Sequence, residues 1–297
     1  MNARPDFDQL GLSAGKKTRL RRILYQHGLQ NGTALFLPYD QGLEHGPRDF
    51  FANQAASDPK YVIGLALEGG FNGIAIQIGL AEKFYWDYAG EIPLVLKLNG
   101  KTDIPPAIDP LSPVNATVED AVRLGADAVG YTLYVGTPMQ AADFAQYRQV
   151  RADARRLGMP LIVWAYPRGS AIDGKGGKDS FYAVDYAART ASELGADMVK
   201  VNFPHPEKHF DVPEPYLAEL SSQDAIGAVV RSANRTLLLV SGGERAGDGA
   251  MLEKARQSME AGATGLIFGR NVWQRPHDES LRFAASLREI LAKYPSK

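Results

Sequence analysis

The sequence predicts a (β/α)8 barrel, and three observations carry that prediction. Eight short apolar runs rich in Val, Ile and Leu recur along the 297 residues, each followed by an amphipathic, helix-like stretch. The segments Leu124-Gly125-Ala126-Asp127, Leu194-Gly195-Ala196-Asp197 and Ala261-Gly262-Ala263-Thr264 echo one another where a helix ends and a strand opens. Glycine suits the left-handed helix terminator there, and the small residue after it permits a tight turn. No dinucleotide fingerprint follows the first apolar run, which argues against an open doubly wound sheet. No linker divides the chain, so residues 1–297 are expected to form one domain.

In chain order, a helix at about Lys16 to His27 comes first and is expected to close the bottom of the barrel. The strands follow at Ala34–Tyr39, Gly73–Ile78, Leu94–Leu98, Ala128–Leu133, Leu161–Ala165, Met198–Val201, Leu237–Val240 and Gly265–Phe268. Most are continuously apolar, the signature of a parallel sheet covered on both faces. Helices are read at Pro59–Glu68, Ala81–Tyr88, Val118–Leu124, Met139–Leu157, Phe181–Leu194, Gln223–Ser232, Ala250–Ala261 and Asp278–Ala292. Thr117, followed by Glu119 and Asp120, marks a helix start with acids in its first turn.

Bulk properties exclude several classes. With 45% hydrophobic and 23% charged residues the chain is ordinary for a globular protein. A net charge of −1 without long like-charge runs gives no footprint for nucleic acid or anionic lipid. No apolar stretch approaches the ~20 residues of a membrane span. Residues Met1 to Gln26 lack the apolar core of a secretion signal, so a cytoplasmic protein is expected. Zero cysteines exclude disulfides and thiolate chemistry.

In a barrel of this kind the site lies at the C-terminal ends of the strands. There the apolar runs give way to Asp40-Gln41-Gly42, Lys97 and Asn99, Trp164-Ala165-Tyr166-Pro167-Arg168-Gly169, Lys200 and Asn202, Ser241-Gly242-Gly243, and Gly269-Arg270-Asn271. Lys200 is the most informative. It occupies a position in a buried strand where desolvating an ammonium is costly, and an amine so placed loses its proton and becomes a nucleophile toward carbonyls. The bland alternative is a lysine reaching solvent past the strand end. Trp164 and Tyr166 project to one side of their strand, as do Lys200 and Asn202. Strands ~4.8 Å apart bring a phenol within reach of the amine, where it can move protons; a core tyrosine is the alternative. Glycines in the seventh and eighth loops, with the Arg270 fork, predict a phosphate site; plain turn chemistry is the alternative. Asp40 either holds a substrate hydroxyl, or tunes the lysine's protonation, or merely caps a turn. Lys97 either helps to depress the Lys200 pKa or is an ion-paired, snorkelling lysine. Gly169–Asp179 is too glycine-rich for a helix; it reads as a lid whose lysines meet a second phosphate, or as a solvated loop. His205 and His209 have helical spacing but enclose Pro206 and lack a third ligand, so no metal site is expected.

These segments resemble the archaeal-type class I fructose-bisphosphate aldolases, a group that includes bacterial enzymes. The match runs through Asp40-Gln41-Gly42-Leu43-Glu44-His45-Gly46-Pro47, Trp164 to Gly169, Val199-Lys200-Val201-Asn202, Ser241-Gly242-Gly243 and Gly269-Arg270-Asn271, in order over roughly Leu35 to Trp273. One departure is Gln41, where many relatives carry His. The resemblance implies a metal-free and cofactor-free barrel that reversibly cleaves fructose 1,6-bisphosphate to dihydroxyacetone phosphate and glyceraldehyde 3-phosphate. It implies Lys200 as the imine-forming lysine, Tyr166 as the proton-transfer residue, and Trp164 and Asp40 as substrate-orienting side chains. Ser241, Gly242, Gly243, Gly269 and Arg270 would cradle a phosphate, and the chain would assemble into a homo-oligomer such as the decameric rings common in that family. A related Schiff-base enzyme acting on another phosphorylated ketose, and an imine-independent sugar-phosphate isomerase using Tyr166 or Asp40 as base, are the rival readings.

Overall fold

The computed structural model describes residues 5–105, 108–206, 211–243 and 247–296. Its eight strands are β1 (Ala34–Tyr39), β2 (Gly73–Gln77), β3 (Leu94–Lys97), β4 (Ala128–Val135), β5 (Leu161–Pro167), β6 (Met198–Val201), β7 (Leu237–Ser241) and β8 (Gly265–Ile267). All pair in parallel, in sequence order, and β8 returns to β1 with Ala34 opposite Gly265, closing the barrel. The helices are α1 (Ala14–Tyr25), α2 (Gln41–His45), α3 (Pro59–Glu68), α4 (Ile78–Phe84), α5 (Val118–Arg123), α6 (Gln140–Arg156), α7 (Ser170–Asp173), α8 (Phe181–Glu193), α9 (Ser222–Ala233), α10 (Asp248–Glu260), α11 (Arg270–Trp273) and α12 (His277–Ala292).

Strand side chains alternate between two apolar layers. Leu35, Leu37, Ile74, Ile76, Leu94, Leu96 and Val199 pack outward against the helices. Ala34, Phe36, Ala75, Val95, Ala128, Ile162, Trp164, Met198, Leu237, Leu239 and Ile267 fill the inside. Both faces are therefore dry, which is why the strands read as unbroken apolar runs. The alternation also fixes the direction of the strand-end polar residues. Lys97 follows Val95 and Lys200 follows Met198 on the inward parity, so both lysines point into the barrel.

The bottom is plugged as expected. Leu20, Ile23 and Leu24 of α1, with Phe7, join the inner layer. Burying each such leucine contributes roughly 1.5–3 kcal/mol. Two ion pairs seat the helix on the strand starts: Lys16 Nζ lies 2.6 Å from Asp197 and Arg22 Nη1 lies 3.2 Å from Asp127. Burial nevertheless pushes Asp127 up to about 6, because the Arg22 charge only partly offsets the desolvation. Asn72 clamps the junction. Its amide donates to the carbonyls of Ile23, His27 and Thr33, and its Oδ1 accepts from Leu35 N at 2.8 Å.

The repeated helix-to-strand turns have the expected geometry, with φ of +69° at Gly125, +89° at Gly195 and +98° at Gly262. A capping box joins Thr117 and Asp120 at the start of α5. Two helix expectations are corrected. The segment Ala81–Tyr88 divides into α4, which begins earlier at Ile78, and a 3-10 turn at Trp86–Tyr88. Strand β2 stops at Gln77, so Ile78 is free to start the helix. The stretch Gly169–Asp179 does contain one helical turn, α7, before the chain enters its glycines.

Candidate active site

The barrel mouth holds a cavity of about 250 Å³ lined by Asp40, Glu44, Trp164, Tyr166, Arg168, Lys200, Asn202, Ser241, Gly242, Gly243, Gly269 and Arg270, among others. Of the polar and aromatic side chains singled out at the strand ends, Lys97 and Asn99 do not line it and are instead buried.

Lys200 is 5% exposed and donates its Nζ to the Tyr166 hydroxyl. The registry explains the contact: Trp164 pairs with Lys200 across β5 and β6, and Tyr166 stands one pleat higher on the same face. The Nζ also lies 4.0 Å from the centroid of the Tyr166 ring. Burial lowers the Lys200 pKa to about 7, with Asp40 and Glu44 opposing the shift and Arg168 and Lys97 assisting it. The Tyr166 phenol is pushed well above its ordinary value, first by burial and then by the charges of Glu44 and Asp40. At neutral pH the pair therefore consists of an amine with a substantial uncharged fraction and a fully protonated phenol.

Asp40 is buried at the end of β1, and its carboxylate makes no capping bond to α2. Its Oδ2 instead lies 3.5 Å from Lys97 Nζ. That ammonium donates to Thr132 Oγ1 at 2.6 Å and lies 4.4 Å from the Trp164 ring centroid. Gly130 makes this stack possible, since a Cβ there would stand 2.7 Å from the Trp164 ring and 2.8 Å from Lys97 Cδ. Neighbouring Glu44 is held protonated more readily than usual, by burial and by the Asp40 charge. Lys97 thus matches both readings of it: it is ion-paired, and its charge helps to depress the Lys200 pKa.

Across the mouth, Ser241, Gly242 and Gly243 follow β7, and Gly269 and Arg270 follow β8. Gly243 adopts φ +68°, open to glycine. Gly242 and Gly269 are required by packing as well. A Cβ at Gly242 would meet Asn271 Nδ2 at 2.6 Å, and one at Gly269 would meet Gln41 Nε2 at 2.7 Å. The Gly242 N–H is already committed to Ile267 O at 3.3 Å. The opening amides of α11 beside it have no intrahelical acceptor, and Arg270 supplies the fixed charge. Arg270 Nε sits 3.9 Å from Asp49 Oδ2, which also holds His45 Nδ1 at 2.7 Å.

Several contributors were visible in sequence only as parts of larger motifs. Glu44 and Arg168 line the cavity, and the Arg168 guanidinium lies 5.0 Å from the Tyr166 ring centroid. Asn202 donates to Asp179 Oδ1 at 2.6 Å and accepts from Ser241 Oγ at 2.8 Å. The fifth-strand loop is partly tied down: Lys175 pairs with Asp211 at 3.1 Å, and Lys178 borders the mouth. His205 is exposed and its backbone pairs with Asp179 and Phe181; His209 lies outside the described residues.

Comparisons with known proteins return aldolases. A family model of DeoC/LacD family aldolases matches residues 34–275. The class 1 fructose-bisphosphate aldolase of Thermoproteus tenax is 39% identical over 263 residues, spanning 88% of this chain and 90% of that protein. Its counterpart in Halobacterium salinarum is 39% identical over 248 residues, 84% and 87% of the two chains. Among solved structures, an archaeal fructose-1,6-bisphosphate aldolase whose catalytic lysine is covalently bound to the carbinolamine intermediate superposes with a TM-score of 0.79. It is 36% identical and aligns over 91% of this chain and 98% of that one.

Proposed function

For a chain that belongs to the DeoC/LacD aldolase family, we propose the activity of a class I fructose-bisphosphate aldolase, which reversibly cleaves fructose 1,6-bisphosphate to dihydroxyacetone phosphate and glyceraldehyde 3-phosphate. The observation that carries this reading is the dry Lys200 amine bonded to the Tyr166 phenol in the barrel mouth.

In the cleavage direction, uncharged Lys200 adds to the ketone carbon to give a carbinolamine. Tyr166, protonated in the free site, gives its proton to the carbinolamine hydroxyl. Water departs, leaving an iminium beside a phenolate. That phenolate removes the C4 hydroxyl proton; the C3–C4 bond breaks, and its electron pair flows into the iminium to give an enamine. The aldehyde leaves. Tyr166 then returns its proton to C3, and water hydrolyses the regenerated iminium to free the ketone and Lys200. One phenol thus serves as acid, base and acid again, which its elevated pKa and its contact with the amine both favour. Arg270 and the glycine loops after β7 and β8 hold one phosphate and so fix the carbonyl near the amine. Trp164 and Asp40 orient the carbon chain from the inner wall.

We place the enzyme in the cytoplasm as a homo-oligomer; no helix among the described residues is long and apolar enough to cross a membrane, and the exposed Phe51 and Trp86 offer apolar surface for assembly. Reduction with borohydride in the presence of substrate should add one triose phosphate mass at Lys200. Activity that persists in Lys200→Ala, or turnover without any trapped adduct, would exclude the imine route and favour an isomerase. Activity that disappears with EDTA would exclude it in favour of metal chemistry.

A further inference from the structure

The inner wall carries a second amine that takes no part in the steps above. Lys97 is 1% exposed, drier even than Lys200. A lysine in such a place needs a counter-ion, since an unpaired buried charge costs several kcal/mol. Asp40 is the carboxylate within reach, at 3.5 Å. The remaining contacts hold the ammonium in place: Thr132 Oγ1 at 2.6 Å, the Trp164 ring at 4.4 Å, and the space that Gly130 leaves open. Buried ion pairs add little net stability over apolar side chains of the same volume, so stability alone does not account for this one.

Its consequence falls on Lys200. The groups facing that amine are the Tyr166 hydroxyl, the carboxylates of Asp40 and Glu44, and the cations Arg168 and Lys97. An unpaired Asp40 would draw a proton onto the nearest amine, and a protonated amine adds to no carbonyl. We infer that Lys97 is a positioning residue acting through Asp40: its ammonium serves as the counter-ion of the β1 carboxylate and thereby weakens that carboxylate's hold on the Lys200 amine. This inference rests on Lys200 forming the imine, and it assigns the lysine on β3 a part in setting the pH range of the reaction.

The test is reductive trapping of the full-length protein with dihydroxyacetone phosphate and cyanoborohydride, read as the rate of intact-mass increase from about pH 5 to about pH 9. The unsubstituted protein should show a rising limb as Lys200 loses its proton. Lys97→Met should move that limb about one pH unit alkaline, an about tenfold loss of trapping rate on the limb. Lys97→Gln, which keeps an amide donor for Thr132 and Asp40 but carries no charge, should show the same shift and guards against a misfolded methionine variant. In an Asp40→Asn background either Lys97 substitution should leave the limb within about 0.3 unit of where Asp40→Asn alone puts it. A limb that stays put in a folded Lys97 variant overturns the proposal. So does a Lys97 shift that keeps its full size in the Asp40→Asn background, which would mean direct repulsion between the two lysines. If the unsubstituted protein is never labelled, it is the imine reading that fails.

Discussion

Replacing Lys200 with methionine should abolish activity and make the protein more stable. The native pKa falls from 10.5 to about 7 through burial. At about 1.4 kcal/mol per unit, holding this amine in the dry interior costs about 5 kcal/mol relative to the unfolded chain. Methionine of similar length removes that cost but leaves the Tyr166 hydroxyl without its partner, a loss of about 1–3 kcal/mol. The net expected gain is about 2–4 kcal/mol near neutral pH. Its pH dependence is distinctive. Below about pH 7 both native and unfolded states of the unsubstituted protein carry the proton, and the penalty is at its full value. Between about 7 and 10.5 only the unfolded state carries it, so the stability of the unsubstituted protein rises with pH and the advantage of the variant shrinks. Urea unfolding followed by circular dichroism at about pH 6.5 and about pH 9.5 measures this directly. A variant less stable than its parent at the lower pH, or a difference that does not narrow at the higher, would refute the claim that Lys200 is held dry and strained.

Tyr166→Phe should lower kcat by about 10²–10⁴-fold with KM changed only a few-fold, because on the proposed mechanism the phenol moves protons while the loops hold the phosphate; a loss under tenfold in a steady-state assay contradicts that role. Arg270→Ala should instead raise KM for fructose 1,6-bisphosphate by about 10–100-fold, and a KM left unchanged would remove Arg270 from the phosphate site. Gly130→Ala forces a Cβ into the Lys97 and Trp164 contact, where the atoms would stand 2.7–2.8 Å apart; it should destabilise by about 1–3 kcal/mol and change tryptophan fluorescence. Asn72→Ala strips buried backbone carbonyls of their donor at the barrel floor and should cost about 2–4 kcal/mol by urea titration with kcat intact.

The strands were legible because their apolar residues are contiguous and their ends are marked by glycine or polar residues. β1 and β6 begin and end where the apolar runs do. β4 and β5 run further, since Tyr134 pairs with Tyr166 and Val135 with Pro167 beyond Leu133 and Ala165, where the strands expected from sequence end. Parity along a strand was enough to place Lys200 and Tyr166 on one face. The short helices α2, α7 and α11 went unread because four or five residues are too few to show a helical period. The pairing of Asp40 with Lys97 was also hidden, since β1 and β3 touch only across the closed interior and no local pattern links them. Gly130 looks like any strand glycine until the ring and the alkyl chain it accommodates are seen.

Among the described residues, Phe7, Leu20, Ile23 and Leu24 stopper one end of the tube and leave the mouth open at the other. Whatever enters must also exit past Arg168, Lys178 and Arg270 at the rim. A fragment tethered to the deep lysine blocks nothing behind it, whereas the released aldehyde stands between it and solvent. On the proposed mechanism departure should be sequential, aldehyde before ketone, and product-inhibition patterns should show the ketone phosphate competing with the bisphosphate for the empty enzyme.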